Sequence, residues 1–324
     1  MSENSRGSLL NAAHPARWKI LLAFAIIYFV WGSTYLFIRI GVGEIPPFLY
    51  AAMRFSIAGE ILYIWMRATG TPSPTRREWS GAMVLGTLMF LLDYGPLFWA
   101  EQRVPSGIAA VILATIPLFI ALLEIIFLRT QNLTLRLSMG LLAGLAGVGV
   151  LMGSSVSLGG ATLDRKGVLA LLMASLSWAV GTVSARKLVL PSSKGMSAAA
   201  QMFCGGMQLF VLALVSGEVT HFHIQNISWH GWFALAYLIV FGSLIAFTAY
   251  VWLLEYESPT MVGTYAYVNP VIAVILGYFF VNELIGLRTV LGTVLILVSV
   301  ALITLNAGKA KTKAKEIELI EEKS

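Results

Sequence analysis

The chain has 324 residues, of which 58% are hydrophobic and 12% charged, with a mean hydropathy of +0.81 and a formal net charge of +6. A water-soluble domain carries about a quarter charged residues, so this composition excludes an ordinary soluble globule and requires an integral membrane protein. Its 22 Lys and Arg are spread over separate loops, which argues against nucleic acid as a partner, and the lone Cys204 excludes an intramolecular disulfide or a Cys-rich metal site.

Apolar runs of roughly 20 residues can cross a hydrocarbon core of about 30 Å. The sequence predicts ten of them, at 18–40, 47–67, 79–100, 105–128, 135–153, 166–187, 196–216, 230–254, 258–281 and 287–306. The first run is too long for a signal-peptide core and no small-residue cleavage site follows it, so it is expected to stay as the first span. The expected fold is all-α and polytopic. Two five-helix repeats, 18–153 and 166–306, are joined by a loop at 154–165 and flanked by a tail at 1–17 and a charged tail at 307–324. An odd number of spans per repeat places the two repeats in opposite orientations.

Span one carries Trp31-Gly32-Ser33-Thr34 and ends near Arg39; span six echoes it with Trp178 and Arg186 at the same spacing. Leu135-Arg136 followed by Gly140 in span five recurs as Leu287-Arg288 followed by Gly292 in span ten. Span two holds Arg54 and span three holds Asp93, Tyr94 and Pro96. An unpaired charge at a helix centre costs about 2.5–3.5 kcal/mol on the insertion scale, so each of the two charges needs a partner or a wet cavity. Two readings stand: a salt bridge that only ties spans two and three, or an Asp93 that takes a proton or a substrate amine while Arg54 tunes it or binds a carboxylate. Gly140 and Gly144 form a small-residue pair suited to close packing within the monomer. In span seven, Gln201 and Gln208 share a face, as hydrogen-bond partners or cavity lining. His221, His223 and His230 cluster in a loop with nothing else to complete a metal site and are read as solvated.

Trp31, Pro117, Trp178 and Asn269-Pro270 each lie about twelve residues into their spans, or about 18 Å deep, near the midplane. Breakers at one depth in both repeats predict helices disturbed at the bilayer centre in spans one, four, six and nine, with Gly32, Pro96, Pro117 and Pro270 as the gating positions. The plainer reading is that proline and glycine are simply frequent in membrane helices. Aromatic lining is expected from Trp31, Tyr94, Trp178 and Tyr265, whereas Trp18, Trp79, Trp229 and Trp232 read as interfacial anchors. The candidate substrate-binding set is therefore Trp31, Ser33, Thr34, Arg54, Asp93, Tyr94, Trp178, Gln201, Tyr265 and Asn269.

Sorted into alternate loops, sixteen Lys and Arg fall on one side and five on the other, which predicts both termini in the cytoplasm. Transport by alternating access is the expected function, with a small molecule as substrate, membrane lipid as surroundings and a proton as the candidate coupling ion. No Gly-rich phosphate loop is present, so no ATPase and no cofactor are expected. Monomer and homodimer are both compatible. A membrane-embedded lipid-modifying enzyme would need a nucleophile, base or metal set at the membrane face, and no His lies within a span. A passive channel would need rings of like charge or repeated carbonyl-presenting loops.

Trp31-Gly32-Ser33-Thr34, Pro105-Ser106-Gly107-Ile108-Ala109-Ala110 leading to Pro117, and Asn269-Pro270 running to Asn282-Glu283 resemble the EamA family of the drug/metabolite transporter superfamily. The likeness covers about 18–306 and is nearest to bacterial inner-membrane permeases. It implies two inverted EamA repeats, a central cavity, peripheral spans five and ten, and efflux of amino acids, related metabolites or amphipathic drugs. The chain departs from the family pattern at Thr130-Gln131, thirteen residues after Pro117, where Glu283 is the counterpart after Pro270. Span six also has Trp178-Ala179 where span one has Trp31-Gly32, and both departures argue against a perfectly symmetric rocking motion.

Overall fold

A computed structural model describes residues 15–128, 134–152, 164–185, 187–220, 222–257, 262 and 265–302. These form ten helical spans and, among the described residues, no strand: α1 (Arg17–Gly41), α2 (Pro47–Ala68), α3 (Arg76–Ala100), α4 (106–128), α5 (Leu135–Met152), α6 (Arg165–Ser184), α7 (Lys194–Val215), α8 (229–256), α9 (Tyr265–Val281) and α10 (Leu287–Leu302). The terminal tails, Arg129 to Leu133 with Thr130 and Gln131, most of the inter-repeat loop, Arg186 and His221 lie outside the described residues. α1, α3, α4, α6, α7 and α8 are long and apolar enough to cross a membrane. α5, α9 and α10 are shorter apolar helices, and α2 carries Arg54 and Glu60 within its 22 residues.

Helix starts follow local chemistry where the sequence supplies it. Thr75 and Glu78 form a capping box before α3, and Asp164, Ser193 and Ser228 accept backbone N–H groups at the starts of α6, α7 and α8. Pro47 opens α2, where a missing N–H costs nothing.

The packing has two-fold character. α1 lies against α8 and α9, while its counterpart α6 lies against α3 and α4; α2 crosses α7, and α4 crosses α9. Exchanging the repeats exchanges these pairs. At the α2–α7 crossing the backbones nearly touch: a Cβ on Gly59 would stand 2.9 Å from Phe203 Cα, and one on Gly206 would stand 2.9 Å from the carbonyl carbon of Phe55. At the edge, a Cβ on Gly144 would stand 2.7 Å from Ser299 Oγ, and one on Gly147 would stand 3.0 Å from the Gly292 oxygen, so α5 packs on α10 within the monomer.

The mid-depth interruptions differ from those the sequence predicts. α1 runs unbroken through Trp31-Gly32 and α6 through Trp178-Ala179, because all four residues keep their amide hydrogens and one glycine costs a helix only about 1 kcal/mol. α9 also continues across Pro270, which frees the Ala266 carbonyl in the first turn. α4 does break, ending one segment at Leu113 and restarting at Ile116, where Pro117 would otherwise clash with the Leu113 carbonyl. Two further interruptions at mid-span are π-helical, Thr87–Tyr94 in α3 and Leu238–Ile245 in α8, each eight residues long and in equivalent spans, and a shorter π stretch, Glu124–Leu128, ends α4. Pro96 follows the first, and the wider turn absorbs the carbonyl it leaves unbonded.

Candidate functional site

A cavity of about 80 Å³ lies where the interrupted helices converge. Trp31, Thr34, Arg54, Asp93, Tyr94, Trp178, Tyr265 and Asn269, all singled out by sequence, line it. Both repeats contribute, since Trp31 and its counterpart Trp178 both line it, as does Met202, at the position of Arg54 in the second repeat. The walls are aromatic: Trp31 meets Tyr265 edge-on at 5.0 Å and Tyr250 at 5.2 Å, and Tyr94 lies 4.5 Å from Phe55 and 6.1 Å from Trp178. The π segments hand their backbone oxygens to the opposite repeat. Trp31 Nε1 donates to the Gly242 oxygen at 3.1 Å in α8, and Ser177 Oγ donates to the Leu88 oxygen at 2.7 Å in α3.

Arg54 is 2% exposed, and its Nε donates to Ser243 Oγ at 3.1 Å. The guanidinium lies 4.6 Å from the Phe55 ring and 5.2 Å from the Tyr94 ring. A Cβ on Gly242 would stand 3.0 Å from Arg54 Nη2, so this glycine makes room for the charge. Arg54 Nη1 and Asp93 Oδ1 are buried without a hydrogen-bond partner. The two residues form no ion pair; among the described residues the salt bridge is Arg103 with Asp164 at 3.7 Å, at the surface. A bridge that merely ties spans two and three is therefore absent, and both charges face the same cavity with bonding capacity to spare.

Two sequence candidates are not in the lining. Ser33 Oγ donates to the Val30 oxygen at 2.8 Å and meets Tyr237 OH at 2.7 Å, on another face of α1. Gln201 donates to Ser197 Oγ at 2.8 Å along its own helix, while Gln208 bonds across to the Met83 oxygen at 3.2 Å. Gly32 packs against Ile272, which places it at the α1–α9 contact. Asn269, with its amide nitrogen turned inward, donates to the Tyr28 and Tyr265 oxygens at 3.1 and 3.2 Å, so it bolts α9 to α1 as well as bordering the cavity. Sequence reasoning missed Tyr35, Phe55, Phe90 and Ser243. Helical spacing would have found Tyr35, one turn after Trp31; nothing marked Ser243. Among the described residues no group of three His, Cys, Asp or Glu could hold a metal ion.

One end of the molecule is closed over this cavity, by acidic residues that reach between the repeats. Glu283 Oε1 and Oε2 accept the Ser106 and Gly107 N–H groups at 2.6 and 3.1 Å, capping α4. Asn282 is left-handed (φ 53°) and turns the chain so that Glu283 arrives there. Glu218 Oε2 accepts the Leu49 N–H at 2.9 Å in the first turn of α2, and Glu44 accepts both the Ser228 N–H and hydroxyl at 2.6 Å before α8. Arg39 donates to the Glu101 backbone oxygen at the same end.

Comparison with known proteins agrees with this architecture. The model of the EamA-like transporter family matches twice, over residues 17–153 and 165–305, one match per repeat. The chain is 36% identical to the inner membrane transporter YedA of Escherichia coli K12 over 91% of its own length and 93% of that protein. It is 28% identical to protein PecM of Dickeya dadantii, covering 89% and 94% of the two chains. A crystal structure at 22% identity superposes with a TM-score of 0.59 over 91% of this chain and 99% of the other, a likeness of fold. With ten spans in two matching repeats around a shared cavity, the chain belongs to the EamA-like transporter family, as an integral membrane transporter and not an enzyme.

Proposed function

We propose that the protein exports small zwitterionic or amphipathic metabolites, amino acids or close relatives, across the bacterial inner membrane by alternating access. The observation that carries this reading is a cavity with a guanidinium and a carboxyl, each with one buried atom lacking a hydrogen-bond partner, between aromatic walls, at the place where equivalent residues of both repeats meet. A substrate carboxylate suits Arg54 and a substrate amine or a proton suits Asp93. At about 80 Å³ the cavity is well below the roughly 300 Å³ of an ordinary ligand pocket, which fits a contracted conformation between openings. The α4 break and the two π segments are the flexible points around it. In this reading both termini are cytoplasmic, so the closed end is periplasmic, and Asp93 carries the coupling proton. The test is uptake of labelled amino acids and organic cations into proteoliposomes with and without a pH gradient. Gradient-driven uptake is expected in the native protein and abolished in Asp93→Asn, which should remain folded. Unchanged gradient-driven uptake in that variant would remove Asp93 from coupling, and no uptake of any zwitterion would remove the substrate class.

A further inference from the structure

A second buried carboxyl lies outside this cavity and takes no part in the mechanism above. Glu101 follows the last residue of α3, is 0% exposed, and neither Oε1 nor Oε2 has a hydrogen-bond partner. Burying an ionised carboxylate without donors costs several kcal/mol, so a charged Glu101 would oppose the closed arrangement in which it sits. Arg39 reaches this residue but donates to its backbone oxygen, leaving the carboxyl unserved. The nearby Ser106 hydroxyl, beside the α4 cap, is likewise buried and unbonded.

The groups that face Glu101 come from every neighbouring element. α1 supplies Tyr35 and Arg39, α2 supplies Tyr50 and Arg54, and the turn after α9 supplies Glu283. α6 packs on the same turn through Gly167, and its Asp164 is occupied by Arg103. Glu283 is already committed as the acceptor of two α4 amides, and a second negative charge beside it is disfavoured. Burial therefore pushes the Glu101 carboxyl well above the usual carboxylate range, with Glu283 adding to the rise and Arg39 and Arg54 opposing it.

We propose that Glu101 is a proton-binding site of the gate: the periplasmic end closes with a proton on this carboxyl and opens as the proton leaves. The proposal rests on the alternating-access reading, but its test needs no substrate. The sign follows from linkage. Closure is fully favoured below the open-state value, about 4.3 for an exposed Glu, and is lost as pH rises through the higher closed-state value. Glu44, Glu218 and Glu283 hold the same end together as acceptors of backbone N–H groups of the opposite repeat. Between the open-state and closed-state values one bound proton changes the closed-to-open ratio by about tenfold per pH unit.

The experiment uses the full chain in nanodiscs, with the same pH on both faces. Val104, 0% exposed and packed against Gly167 across the two repeats, is replaced by cysteine as an opening reporter; exposed Gln102→Cys corrects for the reactivity of the thiol itself. The ratio of maleimide labelling, Val104→Cys over Gln102→Cys, should rise with pH by up to about tenfold per unit. Glu101→Gln should make it low and flat. Infrared spectra at neutral pH should show a protonated-carboxyl band that loses intensity in Glu101→Gln, a readout independent of the reporter. A flat native profile, a slope that survives Glu101→Gln, an unchanged infrared band, or a labelling ratio set by sodium at fixed pH overturns the proposal. A transporter that fails to move zwitterions while keeping the Glu101-dependent slope would instead count against the substrate reading alone.

Discussion

Spans α3 and α8 are structural counterparts with different chemistry. Each carries an eight-residue π segment, yet Asp93 occupies the seventh place of the first and Leu244 the seventh of the second. The same contrast holds between α2 and α7, where Arg54 of the first repeat faces the cavity alongside Met202 of the second. The π bends are duplicated, the α4 break has no counterpart in α9, and the cavity's charged groups are confined to one repeat. An inverted repeat needs equivalent hinges to open alternately to two sides, whereas one recognition site on the axis needs each charged group only once.

Arg54→Met tests this contrast most directly, because it gives the first repeat the residue of the second. Loss of a charge-assisted contact to a substrate carboxylate is worth about 2 kcal/mol, or roughly thirtyfold in transport at low substrate. The protein should stay folded, since replacing a buried charge by an apolar side chain of similar size is often neutral or stabilising. Uptake and thermal unfolding of the same preparation separate the two effects. Native transport rates in Arg54→Met would show that the asymmetry is not chemical.

Much of this arrangement was legible in the sequence, and the failures have physical reasons. The spans emerge from composition alone, and Arg54, Asp93 and both tryptophans stand out because such residues are costly or unusual at mid-depth. Ser33 falls outside the lining because of helical rotation: at about 100° per residue it lies roughly 200° around from Trp31, while Thr34 and Tyr35 return to the same face. The π segments leave little trace, since an i→i+5 turn needs no particular residue; Pro96 hints at one, and nothing comparable marks the other. The closed end was also hidden. Its latches join Glu44 to Ser228, Glu218 to Leu49 and Glu283 to Ser106, contacts between residues far apart in the chain that look like ordinary loop acids until the fold brings them together.

The symmetric part of the comparison is sharpened at the α2–α7 crossing. Gly206→Val inserts a side chain where even a Cβ would stand 2.9 Å from the Phe55 carbonyl carbon, and the backbones must separate. Overpacking of this kind costs about 1–3 kcal/mol, visible as a lowered melting temperature in detergent. Gly149→Ala on α5, where nothing lies within 4 Å, should leave it unchanged or slightly raised, since alanine is the better helix former. Equal melting temperatures for the two variants would mean that the axis crossing is loose.

The smallest expected difference separates the paired tryptophans. Trp31 ties α1 to the α8 π segment through Nε1 and the Gly242 oxygen, while no corresponding indole bond is found for Trp178 among the described residues. Phenylalanine keeps the aromatic wall in either place and removes only the N–H. In Trp31→Phe the Gly242 oxygen loses a bond worth about 1 kcal/mol, roughly fivefold in any step that moves the π segment. The corresponding Trp178→Phe variant should change transport by less than about twofold, because its loss of polar contact is below that value. Hydrogen exchange of the α8 amides should accelerate in the first variant and not in the second. If the two substitutions slow transport equally, the indole N–H of Trp178 meets substrate directly, and the repeats share recognition as well as motion.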